Sequence, residues 1–438
     1  MTDSYDAIVV GAGPAGSAAA YVMAQNKMSV ALLERGQYPG SKTMFGGTIF
    51  REPMEQLVPA FWQEAPLERP VVTDMLWFMD HDSAVNVGFT GLRYAKEPYN
   101  KFTCQRSLFD QWLANKAVQA GAELRTSTLV KGLLYDQGVL GRKNKRRVTG
   151  VVLDNGEQLA ADVVILAEGV NAYLTKEAGL RSNIPPHAMT FYVEEIFAMA
   201  PEKIEDRFQL EPGEGATIGM VGFPTAGGVG KGGLFTYNEH VALIVGGYVN
   251  HLVNQGHSPY ELLQRTKAHP LVRRMLSGAK TVQYKAQMIP KGGYTFIPKL
   301  YLGGLLVTGD AAVMISGRRG TDLAALTGLY AAETAVLAKA KGDFSARTMA
   351  NYMRKVNNSF FMKDIKGAKN SLTYYKEHPD SDFLIAGLFN DVAYEFFKVE
   401  MSTEKEKKDK IMRIISDKQM PLKTARDLYE GYQHWGAY

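Results

Sequence analysis

Tyr5-Asp6-Ala7-Ile8-Val9-Val10-Gly11-Ala12-Gly13-Pro14-Ala15-Gly16-Ser17 decides the fold of the N-terminal part of the chain. The apolar run Tyr5–Val10 has the length of a buried strand and breaks at once into glycines spaced Gly-x-Gly-x-x-Gly. The alanine-rich stretch behind them predicts a helix to about Gln25. Ser29–Leu33 predicts a second buried strand, ending in Glu34. Strand, glycine turn, helix and strand make a βαβ unit of the dinucleotide-binding kind. Gly11 permits the tight turn, Gly13 lets a pyrophosphate approach the backbone, and Gly16 lets helix and strand pack closely. The amides at the helix start face the phosphate charge. Glu34 lies 18 residues beyond Gly16, where a carboxylate accepts hydrogen bonds from a ribose.

Outward from this unit, Ser107–Ala120 reads as a helix with Leu108, Trp112, Leu113, Ala117 and Val118 at helical spacing, stopped by Gly121. Leu124–Leu134 and Val148–Leu166 give short strands, with a turn at Asp154-Asn155-Gly156. From about Pro186 to Pro298 the pattern becomes that of an antiparallel sheet. Gly232–Tyr237 and Val241–Tyr248 flank a tight turn at Asn238-Glu239-His240, and a helix pair is inserted around Pro259–Leu276. Leu305–Thr308 returns to a buried strand, followed by Gly309-Asp310 and a helix from about Thr321 to Lys341; after Phe344 the chain reads as helical. The expected fold is therefore α/β: a Rossmann-type domain with an inserted antiparallel-sheet domain and a helical C-terminal region. The expected division assigns 1–75, 101–184 and 300–343 to the dinucleotide domain, 76–100 and 185–299 to the inserted sheet, and 344–438 to the helical region.

With 438 residues, 46% of them hydrophobic and 22% charged, the composition is that of an ordinary globular enzyme. The net charge of +5 is spread along the chain, which argues against a nucleic-acid-binding tract. The densest basic run, Arg142-Lys143-Asn144-Lys145-Arg146-Arg147, falls between strands and reads as a solvated hairpin loop. Cys104 is the only cysteine, so the chain holds no intramolecular disulfide, no four-cysteine cluster and no Cys-x-x-Cys pair. The histidines show no metal-ligand spacing, and no metal ligand is assigned. No basic n-region precedes the first apolar run, and no stretch approaches the roughly 20 apolar residues of a membrane span. A cytoplasmic protein is expected, with peripheral membrane contact at most.

The glycine motif alone leaves NAD and FAD open. Val307-Thr308-Gly309-Asp310-Ala311-Ala312 decides between them, because a carboxylate closing a late strand before a helix suits the ribitol chain that only a flavin nucleotide has. The combination resembles the flavoproteins that include aromatic hydroxylases, geranylgeranyl reductases and electron-transfer-flavoprotein–quinone oxidoreductases. That resemblance implies that Gly309-Asp310 hold the ribitol and that the helix starting near Gly320 and Thr321 points its positive end at the flavin pyrimidine. It also implies that Arg106 reaches the cofactor. Within this group, Gly40–Gly47, Gly233–Asn238 through Gly246–Tyr248, His269–Val272 and Tyr284–Pro290 resemble the FixC-type proteins in order and over nearly the whole chain. The implied FAD-binding residues are Gly11, Gly13, Pro14, Ala15, Gly16, Glu34, Arg35, Gly46, Gly47, Arg106, Val130, Gly309, Asp310, Gly320 and Thr321; no catalytic side chain is assigned.

The segment Val313–Ala324 departs from that group: Arg-Gly-x-Asp-Leu-Ala survives in Arg319–Ala324, but the loop before it is shortened. The C-terminal part also lacks the cysteines with which single-chain relatives hold a cluster. The resemblance then implies a FixC-type subunit whose cluster sits on a separate ferredoxin-like iron–sulfur subunit. Its partners would be the alpha and beta subunits of an electron transfer flavoprotein, and its acceptor a quinone at the inner face of the cell membrane. Complexes of this type can be electron-bifurcating. The alternative expectation is a stand-alone geranylgeranyl (prenyl lipid) reductase.

Overall fold

The computed structural model describes residues 4–434 apart from 44–45, 137–146, 317–318, 371–372, 374–376 and 379–380. Residues 142–146 of the basic run Arg142–Arg147, and Gly317-Arg318 of the shortened loop, lie outside the described residues. Residues of two sheets line one large cavity.

The first sheet is built on the glycine-motif strand Ser4–Val10, whose last four residues are buried. It sits between Val30–Leu33 and Gln158–Leu166, with Leu305–Val307 and Glu123–Arg125 outside these, all five strands parallel. Tyr301–Leu302 adds an antiparallel edge beyond Leu305–Val307. Val130–Tyr135 and Val148–Leu153 form a meander that joins the start of Gln158–Leu166 through the predicted Asp154–Gly156 turn. Near-continuous apolar strands mark a parallel sheet covered on both faces. The helices Pro14–Gln25, Arg106–Gln119 and Thr321–Lys341 pack together on one of those faces.

The helix Arg106–Gln119 is where expected, but its buried stripe is rotated. Phe109, Leu113, Ala114 and Ala117 are inside, whereas the predicted Leu108 and Val118 are exposed. Asp110 is buried on the same side, paired with Arg106 of the same helix, which donates onward to Thr321 Oγ1.

The second sheet runs, strand by strand, Lys280–Pro290, Met189–Ala198, His240–Tyr248, Gly230–Thr236, Gly215–Gly222, Leu67–Met79, Lys101–Gln105 and Gly46–Phe50, with Ala84–Thr90 also paired to Leu67–Met79. Every pairing is antiparallel except that of Gly215–Gly222 with Leu67–Met79. The strand Leu67–Met79 thus runs across the expected 75/76 boundary, and both Gly46–Phe50 and Lys101–Gln105 pair into this sheet. The helix pair Pro259–Ala268 and Pro270–Met275 packs on its outer face. Buried Arg69 joins the long strand to the hairpin, donating to Tyr237 O (2.8 Å), Asn238 O (3.1 Å), Glu214 O (2.9 Å) and the Glu205 carboxylate (3.0 Å). In the C-terminal region, the helix Ser381–Phe397 lies on the same sheet: Ile385 and Ala386 pack on Phe78 and Val221, and Asn390 Nδ2 donates to Phe78 O at 2.8 Å. Among the described residues no helix is long and apolar enough to cross a membrane.

Candidate dinucleotide site and acceptor cavity

The first βα turn is shaped by its glycines in different ways. Gly11 has φ +102°, and a Cβ there would meet Ala167 O at 2.4 Å. A Cβ on Gly16 would come within 1.8 Å of Gly11 O, so its role is the close packing of helix on strand. Gly13 has ordinary extended backbone, and a Cβ there would meet nothing within 4 Å. The space beside Gly13 is open cavity, as a site for an approaching pyrophosphate requires. No side chain caps the helix Pro14–Gln25 and no acidic residue occupies its first turn, so its amide end is left for an anion. Glu34 accepts from Ala12 N at 3.0 Å and Gly36 N at 2.6 Å; it holds the turn while lining the cavity.

The distant Gly309-Asp310 is brought alongside by close helix contact. A Cβ on Gly328 would lie 2.1 Å from Ala15 O, and one on Gly309 would lie 3.0 Å from Ala15 Cβ. Thr327 Oγ1 accepts from Gly309 N at 3.2 Å and so ties the turn to the helix Thr321–Lys341. That helix begins at Gly320 without a side-chain cap, and Gly320 and Thr321 open onto the cavity. Asp322 points away from it, paired with Arg319, whose guanidinium also lies 5.2 Å from the Phe50 ring and 4.7 Å from that of Phe360. Arg106 grips Asp110 through Nε (2.8 Å) and Nη2 (2.9 Å) and donates to Thr321 Oγ1 at 3.1 Å.

Of the fifteen residues expected at the cofactor, all but Gly16 line a single cavity of about 2110 Å³. Arg35 does so from an exposed position, Val130 from a buried one, and Gly46 and Gly47 from the strand facing Lys101–Gln105. Gly16 acts one layer behind. Cys104 is buried at the same wall, and burial pushes its thiol far up, which leaves it an inert packed residue.

Sequence reasoning missed the charges around Asp310. Arg181 Nη1 donates to Asp310 O at 3.2 Å and Ala311 O at 3.1 Å. Burial raises the Asp310 carboxyl, while Arg106, Arg181 and Lys291 pull it back down. Burial, with neighbouring Lys231, lowers Lys291 to about 8. Arg181 and Lys291 stand close to where the chain enters and leaves the second sheet, at Met189 and Pro290. Chain crossings between two sheets border the space between them, and that is the signal that could have found these residues. Glu168, also missed, closes the strand Gln158–Leu166 and accepts from Leu174 N (2.8 Å) and Thr175 N (2.9 Å).

These features fit FAD: an uncapped helix start beside an open Cβ position, a carboxylate at each end, and cations around the second carboxylate. The cavity is about twice the roughly 300–1,000 Å³ that suits a drug-sized ligand, so a dinucleotide leaves room for a second molecule. The walls of the remaining space come from the second sheet and include Leu76, Val87, Phe89, Phe235, Ile244 and Ile289.

Three parts of the chain match known families. Residues 5–183 match the family model for pyridine nucleotide-disulphide oxidoreductase, residues 192–289 that for ETF-QO, ubiquinone-binding, and residues 374–436 that for the ETF-QO/FixC family C-terminal domain. The chain is 37% identical to protein FixC of Bradyrhizobium diazoefficiens over 93% of each chain. It is 34% identical to the probable electron transfer flavoprotein-quinone oxidoreductase YdiS of Escherichia coli over 91% of each. Among solved structures, a geranylgeranyl bacteriochlorophyll reductase-like protein from Thermoplasma acidophilum superposes with a TM-score of 0.70 at 19% identity, covering 98% of this chain and all of that one, which is a likeness of fold. With that sequence identity, that domain order and this site, the chain belongs to the FixC/ETF-quinone oxidoreductase family and is an FAD-dependent oxidoreductase.

Proposed function

We propose that this chain takes electrons from an electron transfer flavoprotein onto FAD and passes them to a membrane quinone. The single observation that carries this is the continuity of the cavity: the glycine turn, Asp310 and the helix start at Gly320 open into the same space as Phe235, Ile244 and Ile289 of the ubiquinone-binding match. In this assignment the residues around Gly13 hold the pyrophosphate, Glu34 the adenosine ribose and Asp310 the ribitol, and the helix at Gly320-Thr321 faces the pyrimidine edge. Bound there, FAD supplies the reversible electron storage. The protein fixes its position through these residues and sets the local charge through Arg106, Arg181 and Lys291.

The rim supports a peripheral membrane position. Val87 and Phe89 line the cavity and are largely exposed, with Leu92 just beyond them. The helix Ser381–Phe397 packs against their strand and ends in Phe396 and Phe397, the latter 78% exposed, with Val399 and Met401 following. Exposed apolar side chains, those of Val87 and Phe89 at the cavity itself, suit the interfacial zone of a bilayer, from which a prenylated quinone would enter. The single cysteine supports a cluster on a separate ferredoxin-like subunit, and hence a FixC-type complex with the electron transfer flavoprotein subunits, of a kind that can bifurcate electrons. The test is co-purification with those partners and reconstitution on vesicles containing quinone. Flavin reduction through the flavoprotein and quinol formation are expected; a flavin that accepts no electrons from it overturns the assignment.

A further inference from the structure

Lys101, Asp74 and Thr217 form a polar knot in the apolar part of the cavity, and all three line it. Lys101 Nζ donates to Asp74 Oδ1 at 2.6 Å, with the lysine side chain only 8% exposed and that of Asp74 33% exposed. Thr217, directly opposite Asp74 in the parallel strand register, donates its hydroxyl to the same oxygen at 2.5 Å. On the same face, Leu76, two residues on from Asp74, and Phe89, opposite Asp74 in the neighbouring strand, are apolar. Lys101 Nζ lies 6.0 Å from the Phe50 ring, and that ring lies 5.2 Å from Arg319, next to the helix start at Gly320. A lysine–carboxylate pair with little exposure is a poor source of stability, because apolar side chains of similar size do as well or better. Its place on the cavity wall beside apolar Leu76 and Phe89 calls for a chemical role.

We propose that Lys101 is the proton donor to the carbonyl oxygen of the bound quinone, with Asp74 and Thr217 as positioning residues; this rests on the quinone assignment above. Conversion of a quinone to its quinol takes two electrons and two protons. FAD bound beside the knot would supply the electrons, and a proton for the carbonyl oxygen must come from a protein group within reach of it. Lys101 Nζ gives that proton to the oxygen as C=O becomes C–OH. The amine left behind regains a proton from solvent by way of Asp74, the more exposed partner.

The test uses the full-length, FAD-loaded protein, reduced anaerobically and mixed by stopped flow with either a short-chain ubiquinone or ferricenium. Ferricenium takes an electron and no proton. In Lys101→Met and Asp74→Asn the ratio of the quinone rate to the ferricenium rate is expected to fall about 10²-fold, the scale of general acid catalysis. A second readout is the infrared carbonyl stretch of a ¹³C-labelled quinone bound to the oxidised protein, which should move to higher wavenumber in Lys101→Met as its hydrogen bond is lost. Thr217→Val, nearly isosteric, should shift the ratio in the same direction by a smaller amount and carries the test if the charge variants do not fold. A wild-type protein that reduces quinone, together with variants of unchanged ratio and carbonyl stretch, reduces the knot to a structural pair. A wild-type protein that reduces ferricenium but not quinone overturns the quinone assignment itself, and the proton donor with it.

Discussion

Gly13 and Gly16 belong to the same motif, yet their surroundings predict opposite consequences of adding one methyl group. At Gly13 the backbone is extended, with φ −76° and ψ −175°, and the added Cβ meets nothing within 4 Å. Gly13→Ala therefore folds. Alanine is a poorer N-cap than glycine but loses less chain entropy on folding, so the net change in apoprotein stability stays within about 1 kcal/mol. The same methyl fills the space proposed for the pyrophosphate. Two backbone amide contacts to charged oxygens contribute about 1.5–3 kcal/mol each, and losing both weakens FAD about 10²- to 10⁴-fold. At Gly16 the methyl meets Gly11 O at 1.8 Å and Ala167 Cβ at 3.2 Å, both inside the packed layer. Gly16→Ala must push the helix off the strand, at a cost at or above the usual 1–3 kcal/mol of overpacking, about 3 kcal/mol. The assays are urea unfolding of apoprotein and FAD titration by flavin fluorescence quenching. A Gly13→Ala protein that binds FAD as tightly as wild type, or that loses as much stability as Gly16→Ala, refutes the reasoning.

Arg69→Met should destabilise the apoprotein by about 3–5 kcal/mol in denaturant unfolding, since it leaves the Glu205 carboxylate with Gly213 N but no cation and takes a donor from the carbonyls of Tyr237, Asn238 and Glu214. Lys291 sits at about 8 when folded, against an unfolded value of about 10. Below the folded value both states carry the proton and the cost of burying it is fully present; as pH rises from there toward the unfolded value, the unfolded chain holds more protons and stability is regained. Any stability advantage of Lys291→Met over wild type should therefore shrink across that window, and an advantage independent of pH would contradict the assigned burial. Phe89→Ser or Phe397→Ser should each weaken co-sedimentation with anionic vesicles about tenfold or more, the scale of one buried aromatic, and should leave FAD content unchanged. Asp310→Ala should lower FAD occupancy of the purified protein; full loading would remove the reason for preferring ribitol recognition at this position.

Local chemistry explains why some elements were legible in the sequence. The glycine turn, the helix ends at Gln25 and Lys341 and the Asn238–His240 turn are set by neighbours in the chain, and each matches its expected position. The acidic residue after the second strand could be placed because the βαβ unit fixes its spacing. Long-range pairing could not be read in the same way. Leu67–Met79 pairs in parallel with Gly215–Gly222, far along the chain, and nothing in its own residues announces that partner. The division at residue 75 falls inside that strand for this reason. Likewise Leu108 has the right spacing for a buried position, but packing of Phe109 and Leu113 against Ile49, Phe61 and Phe102, distant in the chain, takes the other face inward. Lys291, Arg181 and Lys101 drew no attention as single charged residues. Their significance comes from a cavity between two sheets, a property of the assembled fold.

The most direct test of the central claim is anaerobic titration of the flavin in protein purified with its partners, with a soluble quinone analogue added last. The account predicts that the flavin is reduced through the electron transfer flavoprotein and reoxidised by the quinone, with quinol as product. A protein purified alone, reduced by a small donor and saturating a prenyl double bond without reacting with quinone, would contradict it.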